Sequence, residues 1–349
     1  MPAIFEKINI TLKTYCKAYK FLKQQYSPER IKQIQNEKLT RLIKYSYENI
    51  KYYREIFDAN SIKPKDIRTI DDLQKIPILT KKELRHQSWD FLPKHLPPCR
   101  VSRTSGSTGQ PLCLFSDTNS RINNSAAVIR YRKQLGINLL GSDILTLLKT
   151  ENDPPKPPHW TFLQGVHKTY YINPYSQTLA DIDYAARTIT KLKNPAIIAI
   201  TPAIKALAYK IKNSKLPPLK PSAVLTTGEC LSKKVRNLLE ETFNIKVTDI
   251  YACNEAGDIA WQCLAGQHYH INAENCIVEI IKDNQPAKTG HSGEVVITNL
   301  NRFAMPIIRY KNGDLAKLTN QKCPCGCQLP LISEIIGRTG EDILLTSGK

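Results

Sequence analysis

Between Arg103 and Gln110 the chain places Thr104, Ser105, Gly106, Ser107, Thr108 and Gly109, small or hydroxylated residues that pack no core and hold no stable helix. In such a turn, consecutive backbone N–H groups can point at one anion, and the hydroxyls add donors without bulk. Glycine supplies the positive φ angles that a cradle of this kind needs. No Gly-Lys-Ser/Thr follows, so it is not a Walker loop, and a plain flexible linker is the other reading of the composition. A second group could hold a metal. Cys323-Pro324-Cys325 is a compact pair, and Gly326 lets it turn tightly; upstream, Cys263 and His270 flank a turn at Gly266. Three thiolates and one imidazole complete a closed tetrahedral zinc shell with no position left for substrate, which makes the site structural. Cys327 and His268 are rival ligands, and reduced, packed cysteines are the alternative to a metal.

The rest of the chain must position these groups. At 349 residues it can build one large or two ordinary domains, and its 41% hydrophobic and 23% charged residues are those of a soluble globular protein. It has neither an apolar run of spanning length nor the uninterrupted apolar centre of a signal peptide, so the reading is cytoplasmic with no membrane span. Ten cysteines there are not a disulfide framework; Cys16, Cys99, Cys113, Cys230, Cys253 and Cys276 are isolated and read as small packed residues. The net charge of +19 comes from 50 lysines and arginines scattered along helical faces, without a basic tail or an RNA-binding signature. A nucleic-acid partner is therefore not expected; the surface suits a small polyphosphate.

Residues 1 to about 90 read as helical. "NEKLTRLIKYSYENIKYYREIFDAN" carries Leu39, Leu42, Ile43, Tyr47 and Ile50 at three- and four-residue spacing. "TIDDLQKIP" predicts a helix capped by Thr69 and stopped by Pro77, and "TKKELRHQSW" opens another. After residue 100, apolar strand-like runs at 143–148, 196–201, 223–227, 247–252 and 293–300 alternate with helical stretches such as "LADIDYAARTITKL" and "SKKVRNLLEETF". That alternation predicts a layered α/β core. Beyond residue 270 strands crowd without helices, which predicts antiparallel or mixed pairing, and "NDPPKPPHW" (152–160) reads as a surface loop.

Five segments, in order, resemble the adenylate-forming superfamily of acyl-CoA synthetases. "TSGSTGQPL" resembles its phosphate-binding loop, "VLTTGECL" its adenine-side segment, and "DIYACNEAGD" its Tyr-Gly-x-Thr/Ser-Glu segment. "GEVVITNLNRFAMPIIRYKNGDLAKL" is similar to its Pro-x-x-Arg-Tyr-x-Thr-Gly-Asp segment, and "IGRTGEDIL" to its hinge. The helical opening and "CPCGCQLPLI" resemble the phenylacetate–coenzyme A ligase branch, which includes capsular-polysaccharide-associated relatives. The resemblance spans roughly residues 35 to 349.

It implies the large α/β N-terminal domain of an adenylate-forming enzyme, with parallel and mixed sheets, flanking helices and a smaller β-rich part. A helical segment over 1–95, an ATP-binding adenylation core over 96–338 and a hinge stub over 339–349 follow from it. Thr104 to Gly109 would hold the β- and γ-phosphates of ATP; Gly228 and Glu229 would line the adenine, and Tyr251 would stack on it. Asn254 and Glu255 would act at the reacting centre, Glu255 as the Mg²⁺ carboxylate, while Asp314 would accept from both ribose hydroxyls and Arg338 would approach the ribose or phosphate. By themselves, Glu255 reads as a surface carboxylate before a turn and Asp314 as a residue of an Asn-Gly hairpin. Two departures stand out: Asn254 and Ala252 replace the usual Thr/Ser and Gly, and Gly340 takes the first hinge Asp position, before Glu341 and Asp342. Some members of the branch hold a structural zinc at the cysteine pattern.

The implied activity is ATP-dependent conversion of a carboxylic acid to its acyl-adenylate, with CoA as the acceptor. The family's lysine-bearing C-terminal lid is expected to be missing, because the sequence stops at "LLTSGK" and Lys349 does not stand where that lysine would. Activity is then expected to be impaired unless a separate lid domain or subunit acts in trans. A non-catalytic nucleotide- or acyl-adenylate-binding protein, or a truncated gene product, is the alternative.

Overall fold

The computed structural model describes residues 2–23, 26–86, 88–103, 112–137, 142–148, 169–171, 179–192, 194–214 and 219–339. Along the chain run α1 (Pro2–Lys23), α2 (Pro28–Asn49), α3 (Lys51–Ala59), α4 (Lys81–His86), β1 (Cys99–Arg103), β2 (Cys113–Asp117), α5 (Thr118–Gln134), β3 (Ile144–Leu147), β4 (Thr169–Tyr171) and α6 (Leu179–Ile189). There follow β5 (Ala196–Ile200), α7 (Thr201–Lys212), β6 (Ala223–Thr227), α8 (Lys233–Phe243), β7 (Val247–Cys253) and β8 (Gly257–Gln262). The last strands are β9 (Tyr269–Ile271), β10 (Cys276–Lys282), β11 (Gln285–Pro286), β12 (Ser292–Asn299), β13 (Tyr310–Thr319) and β14 (Leu331–Arg338). They gather into two compact units, one mainly residues 125–252 with α1, the other mainly 24–124 and 268 onward.

The first unit is the expected parallel layer. β3 pairs with β4 and β5, β5 with β6 and β6 with β7, all parallel. Its strands are mostly apolar and buried, as strands of a parallel layer covered by helices are. Leu145, Leu147, Ile197, Ala199, Val224 and Val247 meet Ile204, Leu207, Leu239 and Phe243 in one core. Each such side chain contributes about 1.5–3 kcal/mol of burial. Ser232 caps α8 by accepting from the Val235 N–H at 3.4 Å, and Asn244 ends it in the left-handed conformation.

The second unit pairs β10, β12, β13 and β14 as an antiparallel meander, with β11 on the outer side of β10 and β9 beside β14. Leu39, Leu42 and Ile43 are buried against Tyr53, Phe57, Phe91, Met305 and Ile307, as the helical spacing predicts. The predicted helix is broken, however: Ile50 is extended (φ −115°, ψ 117°) and bridges Pro93, which separates α2 from α3. "IDDLQK" forms a 3-10 turn in place of an α-helix, with the Asp72 carboxylate accepting from the Thr69 N–H (2.9 Å) and hydroxyl (2.8 Å) at its start. Thr80 and Glu83 form the reciprocal cap of α4. The loop expected at 152–160 and the hinge around Gly340 lie outside the described residues.

Candidate functional site

The turn between β7 and β8 carries Asn254 and Glu255, and five side chains of the same unit hold it in place. Arg302 Nη2 donates to the Asn254 carbonyl at 3.2 Å, and Asn299 Nδ2 to the Ala256 carbonyl at 2.9 Å. Asn124 Oδ1 accepts from the Asp258 N–H at 3.0 Å, while Asn272 Nδ2 reaches the Asp258 carbonyl at 2.8 Å. The Tyr310 hydroxyl donates to Glu255 Oε1 at 2.8 Å. Gly257 has φ +79°, and a Cβ there would lie 2.7 Å from Asn124 Oδ1, so only glycine lets the chain turn so close to that amide. Glu255 is 7% exposed, which overturns the surface-carboxylate reading; the Asn254 side chain faces solvent.

Charge in this cluster is balanced over several groups. Burial, then the charge of Glu255, pushes the Cys253 thiol well above its ordinary range. The same two causes raise the Tyr310 hydroxyl, which therefore stays protonated and keeps donating to Glu255. Burial pulls the Arg302 guanidinium downward, against the pull of Cys253, Glu255 and Asp117. Asp117 caps α5 through the Ser120 N–H (2.9 Å) and accepts from the Phe303 and Ala304 N–H groups (2.7 and 3.0 Å), which fixes the turn that carries Arg302.

Asp314 lies on β13, the strand that Tyr310 opens. The Asn-Gly pair before it makes a bulge inside β13, and the hairpin reading is thereby corrected. Lys311 pairs with Val296 and Leu315 with Glu294, so Asn312, Gly313 (φ +86°) and Asp314 stand opposite Val295 alone. Arg338 is the cross-strand partner of Asp314 and donates from Nε to Oδ1 at 3.2 Å, and Asn312 Nδ2 donates to Oδ2 at 2.6 Å. These two contacts fix the plane of the Asp314 carboxylate. Next to Tyr310, Arg309 has φ +50° and makes a buried ion pair with Glu279 (3.0 and 3.2 Å). It also donates to the Ile76 carbonyl. Its backbone N–H and C=O engage Thr298 and Leu79, so this arginine is structural.

In the parallel unit, Gly228 ends β6 with φ +87°, and a Cβ there would meet Ile200 at 3.3 Å. The exposed Glu229 follows and accepts from the Thr201 hydroxyl through its carbonyl at 3.2 Å. Tyr251 is buried on β7. The candidates Thr104, Ser105, Gly106, Ser107, Thr108 and Gly109 fall outside the described residues, as does Lys349.

Cys263 follows β8, His270 sits on β9, and Cys323 and Cys325 lie in the connection between β13 and β14. Each of the four offers a ligand atom, all within 4.8 Å of one another. Cys325 Sγ is 3.4 Å from His270 Nε2 and accepts from the Cys327 N–H at 3.4 Å. Gly326 (φ +79°) closes the knuckle by donating to the Cys323 carbonyl at 3.1 Å. With Zn–S of about 2.3 Å and Zn–N of about 2.0 Å, tetrahedral ligand atoms stand roughly 3.5–3.8 Å apart. The donor set and its spacing fit zinc. Of the rival ligands, His268 contacts Gln321 at 3.0 Å, and Cys327 contributes its backbone to Cys325.

Sequence reading gave no role to Arg302, Tyr310, Asp117 and the asparagines 124, 272 and 299. Tyr310 stands at the Tyr of the Pro-x-x-Arg-Tyr segment, but only the fold brings it and the others to one turn.

No protein-family model matches the chain. It is 26% identical over 334 residues to the phenylacetate-coenzyme A ligase of Thermus thermophilus, covering 92% of this chain and 73% of that protein. It is 23% identical over 361 residues to Protein CapK of Staphylococcus aureus, covering 97% and 77%. Among solved structures, an open conformation of 2-hydroxyisobutyryl-CoA ligase, in complex with 2-HIB-AMP and CoA, superposes with a TM-score of 0.76 at 19% identity, covering 93% of this chain and 78% of that one. The same enzyme in its postadenylation state gives 0.75 at 20% identity, covering 90% and 69%. These superpositions establish the fold. With the five ordered sequence segments and relatives that match nearly all of it, the chain is similar to the phenylacetate–coenzyme A ligase branch of the adenylate-forming superfamily.

Proposed function

We propose that the protein is an acyl-CoA-forming ligase that activates a carboxylic acid with ATP. The observation that carries this reading is that one unit fixes two carboxylates, and that Tyr310, which opens the strand carrying Asp314, donates to Glu255. Glu255 is buried on a turn that several side chains clamp, and Asp314 sits on a bulge where Arg338 and Asn312 orient its carboxylate. In this reading Asp314 binds the ribose diol, with Arg338 and Asn312 fixing its plane. Glu255 and Asn254 face the α-phosphate, Gly228, Glu229 and Tyr251 serve the adenine, and residues 104–109 serve the outer phosphates. A carboxylate oxygen of the substrate attacks the α-phosphorus, the bond to the bridging oxygen breaks, and pyrophosphate leaves. A thiol sulfur then attacks the acyl carbon and AMP departs. Mg²⁺, held by Glu255, would offset the charge that grows on the phosphate oxygens. The chain's own work is to hold the nucleotide and keep Glu255 aimed by way of Tyr310 and Arg302.

The Cys263, His270, Cys323 and Cys325 group is proposed to hold one structural zinc that pins the β8–β9 hairpin to the β13–β14 connection. Its ligand set is full, which leaves it no part in the reaction.

ATP–pyrophosphate exchange across a panel of carboxylic acids tests the activity. Exchange that depends on one class of acid and on Mg²⁺ supports it. ATP binding with no exchange for any acid would favour a non-catalytic nucleotide-binding protein.

A further inference from the structure

The outward face of α1 plays no part in the ligase reading. Over residues 9–23 this helix buries Thr11, Thr14, Ala18 and Phe21. Ala18 and Phe21 pack on Ala126 and Ala127 of α5, with the Arg130 guanidinium 5.2 Å over the Phe21 ring. One apolar stripe is enough to dock a helix on its neighbour. α1 carries a second. Leu12, Tyr15 and Tyr19, spaced three and four apart on the other side, are 61%, 36% and 56% exposed, and Cys16 beside them is exposed too. Lys13 and Lys20, seven residues apart, line one edge of this stripe in solvent, and residues 9–23 contain four lysines and no acid.

We propose that α1 is an interfacial helix that lies on an anionic lipid surface, with Leu12, Tyr15 and Tyr19 in the head-group layer and the lysines on lipid phosphates. Three features select this occupant. Tyrosine has an apolar body and a polar tip, which suits the boundary between acyl chains and water. The lysines along its edge can reach phosphates beside the stripe through flexible apolar stems. A second copy of the chain fits poorly, because each copy carries a net charge of +19 and the paired helices would set five lysines against five with one acid, Glu6, on each. The contact is peripheral, since among the described residues no helix is long and apolar enough to cross a membrane.

The test is co-sedimentation of the full chain with vesicles of phosphatidylcholine alone and of phosphatidylcholine with phosphatidylglycerol. Anionic vesicles should capture at least about tenfold more protein than neutral ones, and most of that should be lost at high salt, where screening shortens the reach of the lysines. The pairs Leu12→Gln with Tyr19→Gln, and Lys13→Gln with Lys20→Gln, should each lower capture severalfold. All four side chains are exposed, so melting temperature and circular dichroism should not change. Capture equal on both vesicles, absent from both, or unaltered in both double variants would overturn the proposal. So would a dimer in sedimentation equilibrium that Leu12→Gln with Tyr19→Gln dissolves while vesicle capture persists. None of these readouts depends on nucleotide chemistry.

Discussion

The Glu255 turn and the cysteine–histidine group solve one problem, the fixing of charged ligand atoms, in opposite ways. Around Glu255 the protein does the fixing itself: Tyr310, Arg302, Asn124, Asn272 and Asn299 all hydrogen-bond to the turn or to its carboxylate. Around Cys325 the sulfur and the imidazole meet at 3.4 Å, and the firm geometry comes from Gly326 and the backbone. Thiolates brought that close repel one another unless a cation lies among them. A preorganised carboxylate is suited to receive a changing ligand, whereas a group that an ion completes is suited to stay closed. The two regions should therefore answer perturbation differently: one in activity at constant stability, the other in stability.

The largest effect is expected at the first region. Glu255→Gln keeps an oxygen for Tyr310 and removes the charge, so pyrophosphate exchange should fall by about a hundredfold or more while the melting temperature holds. Exchange at the wild-type rate would remove Glu255 from the reaction. Next comes the second region. Metal analysis of protein purified without chelator should find about one zinc per chain, and Cys325→Ser should release it and lower the melting temperature by several degrees. Metal-free protein of equal stability would end the zinc assignment. Asp314→Ala removes hydrogen bonds to a charged group, each worth about 1.5–3 kcal/mol, so calorimetry should show ATP affinity reduced at least about tenfold. The smallest effect is at the turn itself. Gly257→Ala forces a side chain into a positive φ and against Asn124, which should cost about 1–3 kcal/mol in denaturant unfolding. Loss of exchange without loss of stability in that variant would mean that the turn is tuned for function more than for folding.

What the sequence disclosed follows the range of the forces involved. Helix and strand periodicity made the parallel layer and Leu39, Leu42 and Ile43 legible, because burial on one face repeats locally. That Cys263, His270, Cys323 and Cys325 would come together was legible too, since thiols and imidazole in pairs have few other uses. The Asn312–Gly313 bulge was not, for Asn-Gly serves hairpin turns and bulges alike and only the pairing partner decides. Nor was the break at Ile50, which depends on a bridge to Pro93, 43 residues away in the chain. Arg302 and Tyr310 were silent for the same reason: each acts on a turn some fifty residues distant.

The central claim is that a carboxylate attacks the α-phosphorus of ATP. With a carboxylic acid identified by exchange and labelled with ¹⁸O in its carboxyl group, mass spectrometry of the products decides it. The account predicts one ¹⁸O in AMP, carried across when the acyl–phosphate ester is broken at its carbon. Label in inorganic phosphate, with ADP as the nucleotide product, would show attack at the γ-phosphorus and contradict it.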